Sequence, residues 1–125
     1  MTFKMRKQLE KRLIELSLEI NRICKSLDKS FLSQHITTQI IRFSTSVALN
    51  YGEAQGAESK GDFIHKTSII LKELRETQIS LKLLSGSIKE NVGRDMDFCN
   101  DECAQLVAIF HKTVITAKSN KQIDY

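Results

Sequence analysis

The sequence predicts an all-α protein built as an antiparallel, up-down-up-down four-helix bundle. Three observations predict it: the 125 residues contain no proline, only five glycines, and apolar residues that recur at alternating spacings of four and three. Average usage of about 5% would give roughly six prolines. A β-sandwich or barrel of this length needs many tight turns, which these counts do not supply. At 41% hydrophobic and 27% charged, the chain suits a single domain over residues 1–125. It is long enough for a real core and too short for two ordinary domains.

The first helix is expected over residues 4–28. Leu9, Leu13, Leu16, Ile20, Ile23 and Leu27 make its seam, and Asp28, Lys29 and Ser30 end it. The second is expected over 33–55, with Ile36, Ile40, Phe43 and Val47 on one face. Its middle is β-branched, but the spacing is helical and strict alternation is missing. Ser44, Ala48 and Gly52 stand four apart there, a small-residue strip suited to tight packing. Ser59 and Asp62 then form a capping pair for a third helix over 60–85. Its seam is Phe63, Thr67, Ile70, Leu74, Thr77, Leu81 and Leu84. Residues 85–97 read as a polar loop closing on a cap at Asp95 or Asp97. The last helix, over 98–118, buries Cys99, Cys103, Leu106, Phe110, Val114 and Ala117, and the tail from residue 119 onward is expected to fray. Short connections between helices of similar length favour antiparallel neighbours.

Two features go beyond what a lone bundle needs. Phe3, Ile14 and Leu18 lie roughly 120–180° from Leu9 around the first helix, and Ile69, Ile79 and Leu83 lie roughly 160–240° from Phe63 around the third. Scattered exposed apolar residues are ordinary, but a second strip on each of two helices points to a subunit interface. The other feature is charge. The net charge is +4, and residues 1–30 alone hold eight basic and four acidic side chains. Lys4, Lys7, Lys11, Arg22, Lys25 and Lys29 fall within roughly 160–220° of Leu9, with Glu15 the one carboxylate expected near them. Such a row can bind the phosphates of RNA or DNA, because affinity of that kind needs several cations acting together. The other reading of the row is a solvated bundle face. No zinc-finger spacing, RNP aromatic signature or helix-turn-helix pattern accompanies it.

Catalytic signatures are missing. Cys99 and Cys103 sit one turn apart on the apolar seam, where buried thiols are a better reading than metal ligands, and Cys24 leaves the cysteine count odd. His35, His65 and His111 are scattered over three helices. No nucleophile elbow, Walker loop or dinucleotide-binding glycine pattern is present. Arg42, Glu53, Glu73, Arg75 and Glu76 read as ion pairs between adjacent helices, with Arg42 opposite Glu73 and Glu76. The expectation is a protein without enzymatic activity, cofactor, metal or small-molecule substrate. The charged first twenty residues have no apolar core of a signal peptide, and no run of about 18 apolar residues occurs, so a cytoplasmic location without membrane association is expected.

Residues 43–84 carry a more specific signal. The stretches STSVALNYGEA at Ser44–Ala54, DFIHK at Asp62–Lys66 and KELRET at Lys72–Thr77 resemble a bacterial family of four-helix-bundle proteins encoded in intervening sequences of 23S ribosomal RNA genes. That family also takes in the accessory variability determinant proteins of diversity-generating retroelements. The STS and NYGEA stretches look closer to its stand-alone members. The resemblance implies a bundle assembled into a ring-like homopentamer, with no catalytic residues to carry over. Asn50, Tyr51, Glu53, His65, Lys72 and Glu76 match the family pattern, and they read first as packing and polar contacts between helices. Two roles remain open: weak binding of nucleic-acid backbones through the first helix, or a scaffold for a protein partner such as a reverse transcriptase.

Overall fold

The computed structural model describes residues 2–86 and 93–119. Its four helices are α1 (Phe3–Lys25), α2 (Phe31–Gln55), α3 (Lys60–Ser85) and α4 (Gly93–Ser119), and no strand occurs among the described residues. The all-α four-helix bundle is therefore as the sequence predicts. The first three starts have a local chemical cause. The hydroxyls of Thr2, Ser30 and Ser59 accept hydrogen bonds from the backbone N–H of Met5 (3.1 Å), Ser33 (3.2 Å) and Asp62 (3.0 Å), satisfying donors that the first turn leaves without partners. The Asp62 carboxylate accepts from the Glu58 N–H rather than from Ser59, so the capping box closes one residue further back. That backbone bond is the main reason its carboxyl sits below the usual carboxylate range.

Helix boundaries differ from expectation at three ends. α1 stops at Lys25, so Leu27 and Lys29 lie in the connection. α2 starts at Phe31, because Ser30 is the N-cap of the second helix rather than only the end of the first. α4 starts at Gly93, which makes Asp95 a first-turn residue and puts Asp97 inside the helix. Residues 87–92 of the expected polar loop and residues 120–125 of the tail lie outside the described residues.

Helix α1 packs on α2 and α4, and α3 packs on the same two, which gives a four-sided arrangement. Arg6 meets Tyr51 while Ser17 meets Ser44, so α1 and α2 run in opposite directions. The predicted seams of all four helices are buried, with Phe63 alone remaining half-buried. Tyr51, Ala54, Leu71 and Met96 join this core, as do Ser33, Ser44 and Ser80. The serines are not orphaned where they are buried: Ser33 donates to the Asp28 carbonyl at 2.6 Å, and Ser44 lies 3.4 Å from Ser17.

The small-residue strip of α2 works only in part. Ser44 is buried and Ala48 half-buried against α1, but Gly52 is exposed and a methyl group there would meet nothing within 4 Å. Its backbone is ordinary helix without positive φ. Gly52→Ala is therefore expected to stabilise the fold by about 0.5–1 kcal/mol, since it removes backbone freedom only from the unfolded chain. A urea midpoint unchanged or lowered by the substitution would show that the glycine is needed where it stands.

Candidate nucleic-acid interface

Five of the six predicted cations lie on α1, and the sixth, Lys29, follows it in the connection to α2. From Lys4 to Lys25 the row extends roughly 32 Å at 1.5 Å per residue. All six side chains are exposed, so each can reach a phosphate without moving the core. They are not equally free. Lys7 pairs with Glu10 at 3.2 Å, Lys11 with Glu15 at 3.9 Å, and Arg22 with Glu19. The expectation that Glu15 alone approaches the row is thus corrected. Glu10 and Glu19 stand three residues from Lys7 and Arg22, a separation at which neighbouring helix side chains meet. Lys4, Lys25 and Lys29 form no ion pair among the described residues. Lys7 also lies 5.7 Å from the centroid of the exposed Phe3 ring.

The predicted interface residues separate into two groups. Phe3, Ile14, Leu18, Ile79 and Leu83 are exposed large apolar side chains, as a second strip requires, whereas Ile69 is half-buried within its own subunit. Phe98, on α4, was not foreseen: it stands beside Leu18 in a groove between α1 and α4. Leu32, Phe31, Leu49 and Ile115 are also exposed. Sequence periodicity offered no sign of Phe98, because its neighbour Cys99 occupies the seam.

The strongest polar link between helices was also missed. The Arg12 guanidinium donates to both carboxylate oxygens of Glu102, at 2.9 and 2.6 Å, and to Gln105 at 3.1 Å. This fork-on-fork contact fastens α1 to α4 beside the core and raises the Arg12 pKa further, chiefly through the hydrogen bond itself. Its partners are ninety residues apart in sequence, beyond any local spacing rule. The anticipated Arg42 pairing is not formed. Arg42 lies over the ring of its neighbour Phe43 at 4.8 Å, Glu76 pairs with Lys72 in its own helix, and Arg75 meets His111 at 3.2 Å.

Among the residues matching the resemblance, Tyr51 makes the interhelix contacts. Its hydroxyl donates to the Arg6 carbonyl at 3.3 Å, and its ring meets Phe110 edge-on. Asn50 instead bonds Ser46 one turn back, and Glu53 and His65 are exposed. With this arrangement in view, the comparison with known proteins is direct. The family model described as 23S rRNA-intervening sequence protein matches residues 6–109. The chain belongs to that family. A crystal structure of a protein with unknown function from the S23 ribosomal protein family of Bacteroides thetaiotaomicron VPI-5482 is similar to it, at 26% identity and a TM-score of 0.70. The similarity covers 89% of this chain and 98% of that one. No curated protein matches.

The cysteines of this 23S rRNA-intervening sequence family member lie in and against the core. Cys99 and Cys103 are buried, Cys24 is half-buried, and all three are free thiols. Burial pushes Cys99 and Cys103 up to about 12, and the Cys103 thiol donates to the Leu74 carbonyl at 3.4 Å. Among the described residues no group of three or more potential ligands is placed to hold a metal ion, and no helix is long and apolar enough to cross a membrane. Since the thiolate is the reactive form, Cys99 and Cys103 are expected to resist thiol reagents at neutral pH until the protein unfolds. Rapid labelling of either in the folded protein would contradict their burial.

Proposed function

We propose that this protein is a non-enzymatic, cytoplasmic, ring-forming helical bundle, a homopentamer as the family resemblance suggests, which binds RNA or DNA backbones through α1. One observation carries the nucleic-acid part: six cations from Lys4 to Lys29 are exposed, and the five on α1 stand at spacings that the helical period puts on one side. Duplex DNA carries one charge per about 1.7 Å of its axis, so a row of this length faces many phosphates at once. No zinc-finger, RNP or helix-turn-helix pattern accompanies the row, so the proposed contact is with backbone phosphates. Self-association is supported by the exposed apolar strips of α1 and α3.

A second reading, a scaffold for a protein partner without nucleic-acid binding, is favoured by exposed apolar side chains such as Phe31 and Leu49, at 95% and 71%. Fluorescence anisotropy with labelled structured RNA and duplex DNA separates the two. Binding at about 50 mM salt that weakens steeply with added salt supports the first reading. Lys4→Gln, Lys25→Gln and Lys29→Gln together should remove most of it while leaving the helical circular dichroism unchanged. Absence of binding even at low salt would overturn the nucleic-acid reading and leave the scaffold.

A further inference from the structure

Three of the six phenylalanines are exposed: Phe3, Phe31 and Phe98. Each stands near a cation of the α1 row. The Lys7 ammonium lies 5.7 Å from the centroid of the Phe3 ring. Phe98 shares the groove between α1 and α4 with Arg22 and Arg94, and Phe31 opens α2 two residues after Lys29. A single exposed ring is ordinary on a protein surface. Three of them, each next to a positive charge, form a pattern that the bundle does not need.

The row is also interrupted. Lys4, Lys7 and Lys11 form one cluster and Arg22, Lys25 and Lys29 another, with Lys11 and Arg22 roughly 16 Å apart along the helix. Ile14 and Leu18 are exposed in that gap on the same side, and Phe98 stands next to Leu18. A duplex keeps its bases stacked inside and carries phosphates all along its surface, so it would set several charges against this apolar gap. A single strand offers both surfaces, phosphates for the cations and the faces of unstacked bases for the rings. The groove around Phe98 suits a base better than a phosphate. Glu15, Glu19 and Asp95 line it and repel phosphate, whereas carboxylates accept hydrogen bonds from amino groups such as that of cytosine.

We infer that the α1 surface takes single-stranded polynucleotide, with bases stacked on Phe98 and Phe3 and phosphates held by the two cation clusters. This rests on the nucleic-acid reading proposed above and names the form of its ligand. Stacking tolerates any sequence, because every base has a π-face, and it works together with a positively charged track for the backbone. That agrees with a surface that carries charge and rings but no sequence-reading motif. The inference gives the exposed apolar side chains of α1 to the ligand and leaves those of α3 for self-association.

The test is anisotropy at about 50 mM salt with four labelled probes of one length: unstructured DNA, unstructured RNA, duplex DNA and an abasic strand. Wild-type protein should prefer a single strand to the duplex, with the DNA and RNA arms showing which polynucleotide it takes. The abasic strand keeps its phosphates but has no bases, and should bind more weakly than the DNA strand. Phe3→Ala and Phe98→Ala should each weaken single-strand binding roughly tenfold or more, leaving duplex and abasic binding unchanged. Phe98→Leu should lose as much, and Phe98→Tyr should bind as wild type does, since stacking needs a ring. Both positions are exposed, so helical circular dichroism and oligomeric mass should not move. Equal affinity for duplex and single strand, or ring variants that bind single strands normally, would overturn stacking. The phosphate row would survive that result if the Lys4, Lys25 and Lys29 variant still lost binding. A fall in oligomeric mass in the ring variants would assign these phenylalanines to a subunit contact and overturn the proposal as well. No binding of any probe by wild-type protein would instead defeat the nucleic-acid reading itself.

Discussion

Phe110→Ala is expected to lower the free energy of unfolding by about 3–5 kcal/mol, the usual cost of emptying a large aromatic site in a core. Phe110 is 2% exposed, and its neighbours across the bundle come from other helices. Its ring centroid lies 5.7 Å from that of Tyr51 at 86°, an edge-to-face contact that adds about 0.5–1.5 kcal/mol beyond burial. Tyr51 in turn reaches the Arg6 carbonyl at 3.3 Å, so one aromatic pair ties the C-terminal half of α4 to α2 and to the start of α1. Truncating Phe110 removes the support of Tyr51 along with its own contacts, which places this site toward the upper end of the range. Ile115→Ala is the matched control. It lies on the same helix but is 53% exposed, and should change stability by less than about 0.5 kcal/mol. Urea denaturation with a common slope reads both. A Phe110→Ala loss no larger than that of the control would mean the aromatic pair is not part of the stabilising core.

That core was legible in the sequence because burial follows helical period. Leu13, Ile20, Leu74 and Leu106 sit where the four-three rhythm puts them, and all are buried. The residues missed have a common physical character. Ser33 is buried because its hydroxyl satisfies the carbonyl and carboxylate of Asp28, a bond made by the turn rather than by periodicity. Arg12 and Phe98 depend on which face of α4 meets α1, a rotation that a single helix pattern cannot supply. Charge pairing failed differently. Arg42 was matched to Glu73 and Glu76 by register alone, yet a long cationic side chain can cover an adjacent ring, and here it lies over Phe43. The cationic row itself was legible, since exposure on a helix also follows period. Its internal neutralisation was harder to see, because it depends on rotamers as well as on spacing.

That neutralisation sets the expected strength of nucleic-acid binding, and leads to the second large effect. If all six cations acted as free charges, affinity would fall on the order of a thousandfold between about 50 and 200 mM salt. Lys7, Lys11 and Arg22 each stand beside a glutamate, and a neutral pair contributes little to charge neutralisation of a phosphate array. With Lys4, Lys25 and Lys29 as the three effective charges, the expected fall for one copy is only about fortyfold. On the proposed reading the glutamates would act as a brake. Replacing Glu10, Glu15 and Glu19 together by Gln should free the three paired cations, tighten binding at low salt, and steepen the dependence toward the thousandfold value. The exposed pairs being lost are worth about 0.2–0.5 kcal/mol each to the helix, so the fold should tolerate the change. Salt-dependent anisotropy on both proteins decides the matter. An unchanged slope in the triple variant would mean that phosphates already displace the glutamates in the wild type, or that the ligand lies elsewhere. The Lys4, Lys25 and Lys29 variant distinguishes these two, because it loses binding only if the row is the contact.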